Sequence, residues 1–215
     1  MEKMQESDMT EKRRGMLIII SGPSGTGKGT LCERLIRQDG HIAFSVSATT
    51  RPAREGEMDG VHYHFLTDEA FNQLLEAGAF LEHATVHDHR YGTLRAPVEE
   101  ALEAGQDILL DVDSQGAASV MDKLKEAVSI FILPPSYQAL KQRLHTRNTD
   151  DAKEIEKRLF NARGEMIKCQ DYCYALINDD LDIALSRLQC IITAERHRTI
   201  RYLPEIVVET MKANG

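Results

Sequence analysis

The segment from Gly22 to Thr30 combines glycines with a single lysine at a spacing that suits phosphate binding. Its residues are Gly22, Pro23, Ser24, Gly25, Thr26, Gly27, Lys28, Gly29 and Thr30. The G-x-x-x-x-G-K spacing, between an apolar run and a helical pattern, is typical of a P-loop. In such a loop several backbone N–H groups converge on one anion, and the lysine reaches the β- and γ-phosphates. Spacing, context and the following hydroxyl favour this interpretation over a glycine-rich turn with a capping lysine.

The position after the lysine departs from the common P-loop pattern. A Ser or Thr that ligates magnesium often stands there, whereas this chain has Gly29, and Thr30 comes one residue later. Because Mg²⁺ readily keeps its own waters, we expect the ion to be held mainly through water and carboxylates.

Two suitable carboxylates, Asp111 and Asp113, lie at the end of the apolar run Asp107–Val112 and directly after it. An apolar strand that ends in an acid resembles a Walker-B strand, and period two places Asp111 and Asp113 on the same side. We expect at least one of them to bind Mg²⁺ or a substrate, and we expect Asp111 to hold Mg²⁺ through water. The alternative is that the two aspartates only mark a turn.

Two arginines, Arg51 and Arg54, lie three residues apart in a loop rich in Ser, Thr and Gly. Paired guanidinium groups suit a terminal phosphate. A solvated basic turn fits the same residues equally well, so this loop alone does not decide between them.

Apolar runs alternate with helical patterns along the chain, which predicts an α/β protein with a mainly parallel sheet flanked by helices. The predicted strands of this sheet are Met16–Ser21, Asp107–Val112, Val128–Leu133 and Tyr174–Ile177. The predicted helices are Lys28–Arg37, a helix capped by Ser136 that runs to about Thr146, about Ala152–Gln170, and Leu181 to about His197.

A different pattern, from Ser45 to Tyr91, predicts a small α+β lobe inserted into the sheet. The run Val61–Leu66 alternates like a strand, Thr67 begins a short helix that ends before Gly78, and Phe80–Val86 is a further strand. The predicted organisation is a flexible tail at 1–15, a core at 16–44 and 94–195, the lobe at 45–93, a lid at about 145–155 and an extension at 196–215. A simple linker is the alternative to the lid.

Composition excludes several classes of protein. The chain has 215 residues and a net charge of −8, which disfavours non-specific binding to nucleic acid or to anionic membranes. Its longest apolar run, Met16–Ile20, is far shorter than a membrane span. The first 15 residues do not resemble a secretory signal, and the four cysteines form no CxxC framework, so we expect reduced thiols and a cytoplasmic location.

Five histidines lie in the lobe, and we favour polar surface positions for them over a metal site. They are His62, His64, His83, His87 and His89.

The run from Ser47 to Tyr63 closely resembles the GMP-binding signature of guanylate kinases. The P-loop, the strand ending at Asp111 and the later Asn178-Asp179-Asp180 follow in that family's order, so the resemblance covers about Met16 to Glu195. It implies a P-loop NTPase-type core with an inserted GMP-binding lobe and a helical lid. It also implies in-line transfer of a phosphoryl group from ATP, with Mg²⁺, to GMP and to dGMP, in purine nucleotide metabolism.

The resemblance also implies roles for individual residues. The implied catalytic residues are Lys28, Arg51, Arg143, Arg147 and Arg158. The implied GMP-binding residues are Ser47, Arg51, Arg54, Tyr63, Glu82, Tyr91, Thr93 and Asp113, where Thr93 replaces a Ser that is frequent in the family. The implied ATP-binding residues are the whole P-loop and Asn178, which corresponds to a position near the adenine.

The chemistry of guanine agrees with the role implied for Glu82. Guanine offers two donors on one edge, N1–H and the exocyclic amine, and one carboxylate can accept both. Adenine presents an acceptor at N1, so it would leave the carboxylate unpaired, and burying that mismatch disfavours AMP relative to GMP by a factor on the order of 10⁴.

No general base is required, because the second phosphate pKa of a nucleoside monophosphate is near 6 and the dianion is already nucleophilic. The enzyme has to align the substrates, neutralise charge and exclude water.

Two other functions compete with this interpretation. One is a non-catalytic guanylate-kinase-like module that binds proteins, although Lys28 and the implied catalytic arginines are all present. The other is a P-loop kinase with a different acceptor, against which the set of implied GMP-binding residues argues. The expected partners are the two nucleotide substrates, without nucleic acid or membrane. The sequence does not determine the oligomeric state, and a homo-oligomer is compatible with it.

Overall fold

The computed structural model describes residues 13–86, 88–146 and 152–201. Its strands are β1 (Leu17–Ser21), β2 (Ile42–Phe44), β3 (Ala48–Thr49), β4 (His64–Phe65), β5 (Phe80–Val86), β6 (His89–Leu94), β7 (Asp107–Asp111), β8 (Val128–Leu133) and β9 (Tyr174–Ile177). Its α-helices are α1 (Lys28–Gln38), α2 (Asp68–Glu76), α3 (Arg95–Glu103), α4 (Ser114–Lys123), α5 (Tyr137–Thr146), α6 (Ala152–Ile167) and α7 (Leu181–Arg196). Two short 3₁₀ helices follow at Lys168–Asp171 and Thr199–Arg201.

Five parallel strands form the main sheet, in the order β2-β7-β1-β8-β9. The central strand β1 is buried throughout because both of its faces are covered. Ile18 and Ile20 pack with α1 and α7, whereas Leu17 and Ile19 pack with α3 and α4. This is the predicted parallel sheet flanked by helices. Parallel pairing brings the carboxyl ends of β1 and β7 to the same edge, where the P-loop begins.

A second sheet, in the order β4-β3-β6-β5, is built from the segment between β2 and α3. The strands β5 and β6 form an antiparallel pair, and α2 covers the sheet. The rings of Phe71 and Phe80 stack with centroids 4.5 Å apart over Ala48, and all three residues are buried. The lobe therefore has a small hydrophobic core of its own.

The predicted strand Val61–Leu66 is largely wrong. Only His64 and Phe65 form a strand, because the residues before them are used in a turn. The N–H groups of Val61 and His62 both donate to the carbonyl of Met58. The alternation that predicted a longer strand therefore reflects turn residues next to a two-residue edge strand. The helix predicted to reach Gln170 ends at Ile167 and continues as a 3₁₀ turn.

Both ends of the described chain pack against the base of the main sheet. The N–H of Gly15 donates to the carbonyl of Leu102 at 2.7 Å, and the side chain of Arg13 is buried. Arg13 through Gly15, which the sequence analysis assigned to the tail, are therefore part of the fold. The described part of the predicted extension also packs there, as Arg201 donates to the Glu195 carbonyl at 2.8 Å.

Asp107 ties these ends together from the first position of β7. Its carboxylate is fully buried and accepts two hydrogen bonds from Arg13, at 2.7 and 2.8 Å. It also accepts one from Arg196 at 2.7 Å and one from the Met16 N–H at 2.8 Å. No helix in the described part of the chain is long and apolar enough to cross a membrane.

Candidate active site

The predicted P-loop connects β1 to α1. Gly22, Gly25 and Gly27 have φ values of 143°, 87° and 88°, a region that favours glycine. A Cβ at Gly22 would lie 2.3 Å from the carbonyl oxygen of Ile132, so a side chain does not fit there. The Lys28 ammonium donates to the Gly22 carbonyl at 2.9 Å, which holds it over the loop.

Asn178 and Arg143 brace the loop from the other side. The Asn178 amide donates to the Thr26 carbonyl at 2.7 Å, and Arg143 donates to the Asn178 carbonyl at 2.9 Å. A Cβ at Gly27 would lie 2.5 Å from the Asn178 nitrogen, so the close approach requires glycine. A cavity of about 530 Å³ adjoins this contact, lined by Arg143, Asn178, Leu181 and the loop glycines. Its size and position suit a nucleoside beside the phosphate loop.

Asp111 ends β7 beside the lysine of the loop. Its carboxylate lies 3.6 Å from the Lys28 ammonium, and its side chain is 29% exposed. Burial raises the pKa of Asp111, and the Lys28 charge opposes that shift. No heavy atom lies within 4 Å of the position that a Cβ at Gly29 would occupy. Where other P-loops have a hydroxyl ligand, this chain therefore has space for water. A partly exposed carboxylate next to open space fits a hydrated Mg²⁺ ion.

Asp113 does not lie in β7, which ends at Asp111, so the period-two argument for the pair does not apply. Asp113 is the N-cap of α4, and its carboxylate accepts the N–H groups of Gln115 and Gly116 at 2.9 and 2.8 Å. One of its oxygens is therefore occupied by the helix terminus.

A second cavity, of about 380 Å³, opens where the lobe faces the ends of β2 and β7. Among its lining residues are Ser47, Tyr63, Thr93 and Asp111. The structure therefore gathers residues predicted for GMP and for magnesium around one space, although they come from both sheets.

Glu82 is a buried carboxylate on β5 with a fixed partner. It is 7% exposed, and it accepts a 2.7 Å hydrogen bond from the hydroxyl of Thr93, which is fully buried on β6. Burial raises the pKa of Glu82, and the Thr93 hydroxyl opposes the shift. The second carboxylate oxygen lies beside Gly116, where a Cβ would be 3.1 Å away. The carboxylate is thus held in one orientation by its neighbours.

Arg51 lies in a cluster of aromatic and charged groups after β3. Its guanidinium lies 5.4 Å from the centre of the Tyr63 ring, and the rings of Tyr63 and Tyr91 meet edge to face at 6.1 Å. It also donates to Glu57 at 2.9 Å, and its side chain is only 11% exposed. Arg54 is exposed three residues later. Arg51, Arg54, Tyr63 and Tyr91, which the resemblance implies as the residues that hold the GMP phosphate, thus belong to one part of the lobe.

The predicted lid is only partly described. Arg147 lies outside the described residues, as do positions 148–151. Arg158 is half-buried on α6, and Arg143 lies on α5 against the P-loop. Their roles toward a transferring phosphoryl group stay predictions.

Two acidic residues at the site were not predicted. Glu57 contacts the arginine loop, and its spacing three residues after Arg54 could have indicated this. Glu165 on α6 lies near Lys28, and burial raises its pKa while Lys28 opposes the shift. No local pattern distinguishes Glu165 from a surface glutamate. Within the described ranges, no group of three or more His, Cys, Asp or Glu side chains is arranged to hold a metal ion.

Comparison with known proteins agrees with this geometry. The family model "Guanylate kinase" matches residues 14–195. The chain is 51% identical to a guanylate kinase of Jannaschia sp. (strain CCS1) over 197 residues, which cover 91% of this chain and 89% of the relative. It is 45% identical to a guanylate kinase of Agrobacterium fabrum (strain C58) over 202 residues, which cover 94% and 92%.

Among solved structures, the crystal structure of guanylate kinase from Anaplasma phagocytophilum is similar with a TM-score of 0.70. The sequences are 33% identical, and the match covers 91% of this chain and 93% of that chain. Matches of this extent, to the family model and to whole relatives, include the P-loop, the lobe and the helices that follow. The chain belongs to the guanylate kinase family.

Proposed function

We propose that this protein is a guanylate kinase, which transfers the γ-phosphoryl group of ATP to GMP and to dGMP. The observation that carries the proposal is the buried Glu82–Thr93 pair: Thr93 lines one cavity together with Asp111, which lies 3.6 Å from the P-loop lysine, Lys28. A buried carboxylate with one oxygen already bonded needs a donor-rich partner, because leaving it unpaired costs free energy. The donor edge of guanine supplies that partner.

The acceptor phosphate would lie among Arg51, Arg54, Tyr63 and Tyr91. Arginine binds phosphate through parallel N–H groups, and two tyrosine hydroxyls add further donors. Arg51 is held in place by its neighbours, which supports a preorganised site. Ser47 lines the cavity of about 380 Å³ together with Tyr63 and Thr93, and it would contact the guanine base with Glu82 and Thr93.

The donor phosphates would lie over the P-loop, with the adenosine in the cavity beside Asn178. Backbone N–H groups at the start of α1 would bind the phosphate oxygens, and Lys28 would neutralise charge between donor and acceptor. Because the GMP dianion is itself the nucleophile, catalysis consists of alignment, charge neutralisation and exclusion of water. Arg143, Arg147 and Arg158 would add positive charge around the transferring group.

We propose that Mg²⁺ is bound with ATP through waters held by Asp111. When bound, the ion would neutralise part of the negative charge on the phosphates of ATP. The exposure of Asp111 and the space at Gly29 support this arrangement. Lys28 keeps the Asp111 carboxylate oriented toward the loop from 3.6 Å.

A coupled assay of ADP release with GMP, dGMP, AMP, CMP and UMP tests the proposal. We expect turnover with GMP, lower but measurable turnover with dGMP, and very little with the other three. Activity confined to a non-guanine acceptor would identify a different kinase, and binding of GMP without any turnover would indicate a non-catalytic module. A cytoplasmic location is proposed from the sequence features alone.

A further inference from the structure

Glu57 connects the two arginines of the predicted phosphate site, although no role has been assigned to it. One carboxylate oxygen accepts from the Arg51 guanidinium at 2.9 Å, and the other accepts from the Arg54 N–H at 2.7 Å. In return, the Glu57 N–H donates to the Arg54 carbonyl at 3.0 Å. Glu57 therefore fixes both the side chain of one arginine and the backbone of the other.

We propose that Glu57 is a positioning residue for the acceptor phosphate. It holds Arg51 and the Arg54 backbone in the arrangement that receives the phosphate, and it does not touch the substrate itself. This inference rests on the proposed function, because it takes the phosphate of GMP as the ligand of this loop.

The contacts of Arg51 leave donors for a ligand. One terminal nitrogen donates to Glu57 and the other to the Pro52 carbonyl at 2.8 Å. The Tyr91 hydroxyl is a further partner, and a guanidinium has five N–H donors, so these bonds do not use all of them. The ring of Tyr63 lies against the guanidinium at 5.4 Å. The arginine is thus immobilised with part of its hydrogen-bonding capacity unused, which is what a preorganised phosphate site requires.

Charge alone would give Glu57 the opposite effect. Beside a phosphate dianion the carboxylate is repulsive, and it is ionised at any assay pH, because the Arg51 guanidinium and the Arg54 N–H lower the pKa of Glu57 to about 2. Removing this charge would strengthen phosphate binding if electrostatics dominated. Removing the charge weakens phosphate binding if orientation dominates, because Arg51 would then be free to adopt many rotamers and the exposed loop at Arg54 would lose a hydrogen bond that orders it. The sign of the effect therefore separates the two explanations.

The substitution Glu57→Gln is the direct test, with Glu55→Gln as its matched control. Glu55 is an exposed glutamate of the same loop, so its variant carries the same change in net charge. We expect Glu57→Gln to raise the KM for GMP roughly tenfold or more, as loss of a charged hydrogen bond does. The KM for ATP should stay unchanged. We expect Glu55→Gln to leave the KM for GMP unchanged or slightly lower.

Binding of guanosine separates positioning of the phosphate ligands from general damage to the lobe. Direct titration should show that Glu57→Gln weakens GMP binding but binds guanosine as the wild type does. An equal loss for both ligands, or a lower KM for GMP in Glu57→Gln, would overturn the proposal. If Glu57→Gln does not fold, Glu57→Asp tests the same point, because the shorter carboxylate cannot reach both partners. Wild-type turnover with GMP is measured in the same series, so a failure of the proposed function is recognised separately.

Discussion

The substitution Glu82→Gln tests base recognition most directly. The side chain keeps its shape and one acceptor oxygen, but it loses its charge and gains a donor. A hydrogen bond to a charged group contributes about 1.5–3 kcal/mol. At 1.36 kcal/mol per factor of ten, kcat/KM for GMP should fall roughly 10²-fold.

The structure determines which way the new amide turns. The Thr93 hydroxyl donates to one oxygen of Glu82 at 2.7 Å, so the amide oxygen of the variant stays at that position. The amide nitrogen then replaces the oxygen beside Gly116 and presents a donor to the donor edge of guanine. For AMP the same donor faces the N1 acceptor, so kcat/KM for AMP should fall less or rise.

The decisive quantity is the ratio of kcat/KM for GMP to kcat/KM for AMP. A general loss of phosphoryl transfer cancels in this ratio, because both substrates use the same phosphate site. The variant should be shown to be folded by its thermal unfolding, and Thr93→Val completes a double-mutant cycle. We expect coupling of at least about 0.5 kcal/mol between the two positions, since they share a hydrogen bond. An unchanged GMP-to-AMP ratio in a folded, active Glu82→Gln protein would show that Glu82 does not bind the base.

Three further predictions follow from contacts described above. Lys28→Ala should lower turnover by orders of magnitude in the ADP-release assay, with an unchanged unfolding temperature, because Lys28 is not part of the hydrophobic core; near-normal turnover would contradict the P-loop role. Asp107→Asn should reduce the free energy of unfolding in urea by about 3–5 kcal/mol, because it leaves the buried Arg13 without its anion, although Arg196 keeps Asp39; turnover of the folded protein should be retained. Gly116→Ala should lower kcat/KM for GMP, because a Cβ would lie 3.1 Å from the Glu82 carboxylate, whereas Gly164→Ala has open space and should have no effect.

The sequence was most informative where one local pattern determines one structure. The apolar run of β1 and the glycine spacing of the P-loop predicted both the central strand and the loop, because burial on both faces and left-handed backbone leave clear signals. Helix α4 was not predicted, because the period-two argument placed Asp113 on the preceding strand, whereas Asp113 is the N-cap of this helix. The resemblance to the family supplied Glu82, but no pattern in the sequence indicates that Gly116 lies against it.

The two ends of the acceptor nucleotide would be recognised by different physical means. The base end depends on burial: Glu82 lies on β5, and Lys123 of α4 fixes that strand to the main sheet by donating to the Leu81 carbonyl at 2.6 Å. The phosphate end depends on an ion pair, because Glu57 and Arg51 hold each other in a partly exposed loop. Variants at Glu82 should therefore change the preference between bases, whereas variants at Glu57 should change affinity for the phosphate with any base. The GMP-to-AMP ratio should accordingly be the same in Glu57→Gln as in the wild type, although both substrates bind more weakly.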